Sequence, residues 1–159
     1  MLITKSCQCN INGDLAVVYD TPIFHDVKQI MTGYGPLPAS EGVSKEVNWG
    51  EKNGYRLLLG FGKEFCKETI LEKKPNEYWK YQLNDFKNSS FFFVNKVEGE
   101  IWVKEMKNSV VYFSNKYTFY NRNIFTLPIT FLFVHLLWSG LQKKALKNLK
   151  NIIEEKAQS

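Results

Sequence analysis

Two imidazoles, His25 and His135, are the only side chains in this 159-residue sequence that titrate near neutral pH unaided. His135 stands inside FTLPITFLFVHLLWSGLQKK, Phe125 to Lys144, the least polar stretch of the chain, and is therefore the candidate general acid or base. The alternative for a lone histidine on a buried helix is a hydrogen bond to a backbone or side-chain partner. His25, next to Asp26, falls on the exposed face of short helices. Arg56 either points inward as an anchor for an anion or carbonyl, or pairs outward with a glutamate of the following strand; Glu68 carries the same two readings. Alternation along two strand-like runs places Trp79, Tyr81 and Leu83 on one face, and Val111, Phe113, Asn115, Tyr117 and Phe119 on another. These are the expected inward faces. Tyr81 and Tyr117 bring hydroxyls to an apolar interior, either as ligand contacts or as ordinary aromatic core. Asn115 is an amide among rings, and either orients a ligand or sits at a wet rim of the sheet.

Other chemistry is not signalled. Cys7, Cys9 and Cys66 are too few and wrongly spaced for a disulfide framework or a zinc site, and read as reduced thiols. No Gly-rich phosphate loop, HExxH, GxSxG or Cys/His cluster occurs, so neither a metal nor a nucleotide cofactor is implied. The net charge of +5 comes almost entirely from lysines interleaved with glutamates; Arg occurs only at Arg56 and Arg122, which argues against nucleic acid as partner. The first residues, MLITKSCQCN, have no signal-like apolar run, and a cytoplasmic location is expected.

The elements that must position these residues are set by periodicity. Residues 1–159 suit one domain. Leu2 to Ile11 alternates as a strand, and Asp14 to Met31 has helical spacing interrupted by Pro22, which predicts two short helices meeting near Asp20 to Pro22. The Gly33 to Gly42 stretch is a loop, expected to be mobile beside a pocket mouth. Six further strands are expected at residues 43–49, 55–61, 64–72, 78–84, 91–106 with an irregularity at Gly99, and 109–121. Short turns, Asn53-Gly54 among them, make these an antiparallel meander. A long helix comes last, with Thr126 as N-cap, running to about Lys156. Its first half, Leu127 to Leu141, is apolar nearly all round and is expected to be enclosed; the run is read as too short to span a membrane.

This order of strand, two short helices, meander and long helix resembles the START and Bet v 1-like helix-grip superfamily, which includes polyketide cyclase/dehydrase-like proteins. The likeness covers the whole chain, with NGYRLLLGFG at Asn53 to Gly62 and EFCKETILEKKPNEYWKYQL at Glu64 to Leu83 as its local features; Gly54-Tyr55-Arg56, Glu68 and Trp79-Lys80-Tyr81 occupy the places of the family's loose motifs. It implies an α+β fold in which a curved antiparallel sheet of six or seven strands wraps the final helix, usually leaving a hydrophobic cavity. His135 and Leu137 would then face that cavity with Arg56, Trp79, Tyr81, Phe113, Asn115 and Tyr117. Three functions stay open: binding or carriage of a lipid-like, aromatic or polyketide-like molecule, acid/base catalysis on a bound carbonyl compound through His135, or an interaction at a partner or membrane surface through the basic second half of the helix.

Overall fold

A computed structural model describes all residues, Met1–Ser159. Strand β1 (Leu2–Asn12) is followed by helices α1 (Leu15–Phe24) and α2 (Val27–Ile30). Strands β2 (Gly42–Val47), β3 (Tyr55–Gly60), β4 (Lys63–Lys74), β5 (Tyr78–Asn84), β6 (Val94–Glu105) and β7 (Val110–Asn121) then form the meander. One sheet results, in the order β1-β7-β6-β5-β4-β3-β2, with every neighbouring pair antiparallel. The short reversals dictate that order, because consecutive strands joined by a few residues can only pair with each other. Between β3 and β4 the turn is Phe61-Gly62, both with positive φ (56° and 78°), the pairing of angles whose twist matches two antiparallel strands. Asn53-Gly54 is not such a hairpin, since only Asn53 has positive φ. Gly54 is required there because a Cβ would lie 1.9 Å from the Asn48 carbonyl oxygen.

Helix α1 is capped by Asp14, whose carboxylate accepts from the Ala16 and Val17 amides at 2.9 and 3.3 Å. Contrary to the expected break, Pro22 lies inside α1, and the junction with α2 falls at His25–Asp26. A proline late in a short helix forfeits one amide bond, which the surrounding packing of Val18, Tyr19 and Ile23 tolerates. Strand β6 begins three residues later than expected, because Ser89–Phe91 forms a 3-10 turn capped by Asn88. Its irregularity lies between Val94 and Lys96, whereas Gly99 pairs regularly with Tyr81 and Tyr117.

The terminal helix runs from Ile124 to Gln158. Asn123 caps it, exchanging bonds with Thr126 in a capping box, so Thr126 belongs to the first turn instead of preceding it. A π-type turn at Phe133–Trp138 interrupts the α pattern. Up to its start the buried positions are Thr126, Thr130 and Val134, at four-residue spacing; beyond it they include Leu141, Gln142, Leu149 and Ile153. One extra residue in a turn rotates the succeeding residues by about 100°, and that rotation keeps the buried stripe on the sheet along the whole helix. The expectation of a fully enclosed first half is overturned. By length and composition the helix would suffice to cross a membrane, yet one side of it is sealed against the sheet while Phe125, Phe131, Leu132 and Leu136 face outward.

Candidate functional site

Two apolar clusters meet under the terminal helix. The larger joins α1 and the ends of β5 to β7 to Leu149 and Ile153, around Ile11, Val18, Ile70 and Trp79; the smaller gathers Phe93, Val94, Val97, Phe119 and Val134 with the rings of Phe91, Phe133 and Trp138. Between them lies a cavity of about 120 Å³. Pro22, Ile23, Val27, Ile30 and Met31 form its α1–α2 side, and Trp138, Gln142, Ala145, Leu146 and Leu149 its helix side. The sheet contributes Leu58, Leu83 and Ile101 together with the polar candidates. A closed, dry void of that size would forfeit about 24 cal/mol per Å³ in lost contacts, or about 3 kcal/mol.

Five expected residues line this cavity: Arg56, Tyr81, Phe113, Asn115 and Tyr117. Glu68 joins them. Arg56 and Glu68 are direct cross-strand partners, and both expectations for Arg56 hold at once, because it points inward and pairs with Glu68. Its Nε donates to Glu68 Oε2 at 2.6 Å with both side chains over nine-tenths buried. The guanidinium also stacks 4.1 Å from the Trp49 ring centroid and reaches the Ile23 carbonyl at 3.4 Å. The pair is fixed on three sides.

Tyr81 and Tyr117 are brought together across β6 by Gly99. The three are in register, and a Cβ on Gly99 would lie 2.3 Å from the Tyr81 ring. The missing side chain lets that ring lie flat, so that Tyr81 Oη donates to Tyr117 Oη at 2.8 Å. Burial, more than any neighbouring charge, pushes both phenols well above their ordinary pKa. They remain protonated and act as hydrogen-bonding groups, not as bases.

Asn115 is neither wet nor free. Its Nδ2 donates to the Glu100 carbonyl at 3.2 Å, and its Oδ1 accepts from Gln142 Nε2 at 3.2 Å. Gln142 Nε2 also reaches the Asn115 carbonyl at 3.1 Å, which ties helix to sheet and leaves Gln142 Oε1 without a partner. Trp138 Nε1 is likewise buried and unpaired. Both residues line the cavity, so an unused acceptor and an unused donor belong to side chains of one apolar space, each occluded as the side chains now lie. Buried groups of this kind are seldom left unmatched.

Three expected residues lie elsewhere. Trp79 is fully buried but outside the lining: it stacks on Tyr19 at 4.7 Å and donates Nε1 to the Tyr19 carbonyl at 3.0 Å, fixing α1 to the sheet. His135 is exposed on the outer face of the helix, stacked on Phe131 at 4.2 Å with Nδ1 2.9 Å from the Phe131 carbonyl oxygen. Leu137 is half-buried and away from the lining. Helical phase is the reason in both cases, because the residues turned to the sheet at the start of this helix are Thr126, Thr130 and Val134. Sequence reasoning missed Gln142 and Trp138. Gln142 adjoins Lys143 and Lys144 and reads as part of a polar face unless the inserted residue is known.

The Gly33 to Gly42 loop is fastened to the helix at its start. Lys144 Nζ donates to the Gly33 carbonyl at 2.8 Å, Asn148 Nδ2 to the Ile30 carbonyl and Thr32 hydroxyl at 2.9 Å each. The Tyr34 ring lies where a Cβ on Gly140 would be, 2.1 Å from it. These bonds hold the terminal helix to α2 and the start of the loop beside the cavity. No three His, Cys, Asp or Glu side chains converge anywhere to hold a metal ion.

No protein-family model and no curated protein matches the sequence. Solved structures do. The crystal structure of Ara h 8.0201 matches 98% of this chain and 99% of its own, at TM-score 0.71 and 10% identity. Norcoclaurine synthase from Thalictrum flavum, in complex with dopamine and hydroxybenzaldehyde, matches 98% of this chain and 88% of its own, at TM-score 0.71 and 11% identity. The di-domain ARO/CYC StfQ from the steffimycin biosynthetic pathway gives TM-score 0.72 at 11% identity over 99% of this chain, which spans 53% of that longer one. The chain therefore has the Bet v 1-like helix-grip fold: a curved antiparallel sheet against a long C-terminal helix, here with a cavity between them.

Proposed function

We propose that the protein binds a small, largely apolar molecule of about one aromatic ring, carrying a polar group, between the sheet and the terminal helix. The observation that carries this reading is the cavity itself, apolar in most of its lining yet lined also by Gln142 and Trp138, each of which holds an unpaired buried polar atom. Its 120 Å³ is close to the roughly 150 Å³ of an engineered apolar cavity that takes up benzene. It is well below the roughly 300 Å³ at which drug-sized pockets begin. A lipid-like or polyketide-like molecule would need α1–α2 to move off the helix, breaking the Asn148 and Lys144 bonds. The norcoclaurine synthase structure holds dopamine and hydroxybenzaldehyde, each built on one ring, and that shared scale supports the reading without fixing the ligand.

Titration calorimetry with toluene and benzaldehyde tests it. Burying a ring of about 150–250 Å² at about 25 cal/mol per Å² contributes about 4–6 kcal/mol before ordering costs, so Kd is expected at about 1 mM or weaker. Trp138→Phe removes the unpaired donor but keeps a ring, and should weaken benzaldehyde binding about tenfold, the worth of one hydrogen bond, with toluene unaffected. Absence of binding by either probe to the unmodified protein would end the proposal. The rival enzyme reading has lost His135 as its acid or base; it would have to use Glu68 beside Arg56 and the Tyr81–Tyr117 pair. Conversion of a bound carbonyl compound, abolished by Glu68→Gln with binding retained, would favour it.

A further inference from the structure

The first half of the terminal helix is amphipathic in the reverse sense for a helix in water. Its threonines face the protein: Thr130 is fully buried, and Thr126 donates its hydroxyl to the Phe93 carbonyl at 3.3 Å, while His135, stacked on Phe131, is the polar member of the outer face. Its large apolar residues face out, with Phe125 87%, Leu136 66%, Leu132 55% and Phe131 51% exposed. Only 28% of the most apolar part of this helix is buried. A contiguous exposed stripe of such residues marks a surface that is covered by something in use.

The charges around it say what covers it. No Asp or Glu occurs between Glu105 and Glu154, whereas Arg122 precedes the stripe and Lys143, Lys144 and Lys147 follow it, all exposed. None of these four is in an ion pair. Two copies docked stripe to stripe would bring these cations together with no carboxylate to separate them. An anionic bilayer satisfies both features, taking the rings and leucines below the headgroups and the flanking cations at the level of the lipid phosphates.

We propose that the protein docks peripherally on anionic lipid surfaces through this stripe, with the helix lying in the plane of the interface and its buried side still on the sheet. Sequence alone points to the basic second half of the helix as the membrane-surface element; the geometry assigns the apolar contact to the first half and leaves the lysines as its electrostatic border. This surface is separate from the cavity and does not depend on what the cavity holds.

Vesicle flotation tests it with the full chain. Liposomes of phosphatidylcholine containing about 30 mol% phosphatidylserine should bind the protein at least about tenfold more tightly than phosphatidylcholine alone, and the difference should shrink as salt rises from about 0.1 to 0.5 M. Phe125→Glu with Leu132→Glu should abolish flotation. Because both side chains are exposed, thermal stability and toluene binding should be unchanged, which separates this surface from the cavity. Lys143→Gln with Lys147→Gln should remove the preference for phosphatidylserine. Failure of the unmodified protein to float with either lipid, or unaltered flotation of the double glutamate variant, overturns the proposal. Light scattering that shows a dimer abolished by Phe125→Glu with Leu132→Glu, without flotation, would assign the stripe to a second copy and overturn it equally.

Discussion

Ala145→Leu puts the cavity itself to the test. Ala145 is half-buried, faces the cavity from the middle of the terminal helix, and has Leu146 and Leu149 beside it in the lining. Leucine is nearly as good a helix former as alanine, so the backbone should not change. The substitution adds three carbons to a space of about 120 Å³. At about 0.8 kcal/mol per buried methylene, less about 0.5–1 kcal/mol for fixing the new side chain, the protein should gain about 1.5 kcal/mol. For a domain of this size that raises Tm by about 3–6 °C. The same atoms occupy the ligand's place, so benzaldehyde and toluene should bind at least about tenfold more weakly. Calorimetric unfolding and titration read both effects on one sample. In a packed interior the added carbons would instead cost about 1–3 kcal/mol. A lower Tm with unaltered probe binding would therefore refute the reasoning, since it would show that the space is neither empty nor the binding site.

The same geometry sets three other outcomes. Gly99→Ala should destabilise by about 1–3 kcal/mol in denaturant unfolding, opposite to the gain usually expected on removing a glycine from a strand, because its Cβ would strike the Tyr81 ring and part the two tyrosine hydroxyls. Glu68→Ala should cost about 3–5 kcal/mol by stranding buried Arg56, whereas the double change Arg56→Met with Glu68→Leu should recover most of that loss; equal losses in both would show that the pair is not the source. On the outer face of the sheet, Glu98 and Glu100 are held below the ordinary carboxylate pKa: burial alone would raise both, but bonds from Lys96, Tyr120 and Lys80 to Glu98, and from Lys116 and Tyr78 to Glu100, outweigh it. Their stabilisation is present above the ordinary carboxylate value of 4.5 and lost as pH falls through the lowered folded values, so Glu98→Gln with Glu100→Gln should flatten the acid limb of a Tm-against-pH curve, and an unchanged slope would discount them.

Period-two alternation from Val43 to Asn121, broken by turns too short for anything but antiparallel neighbours, determined the meander and its strand order, because a chain reversing within a few residues has one partner available. The inward positions of Tyr81, Phe113, Asn115 and Tyr117 came from the same alternation, which leaves only two faces to choose between. Arg56 and Glu68 could be recognised as candidates, but that they would face each other inside the cavity depended on the β3–β4 register, which sequence spacing leaves free. The terminal helix marks the limit more sharply. Its apolar run announced a helix, while the side on which the residues of its second half lie was decided by one extra residue in the turn Phe133–Trp138. No pattern in FVHLLW requires that turn; in a regular α-helix Gln142 and Ile153 would lie about 80–100° round the helix from Val134, and the extra residue brings them back to the same face. That rotation turned Gln142 toward the cavity, whereas His135, about 180° from Thr126 on a regular helix, was outside from the start.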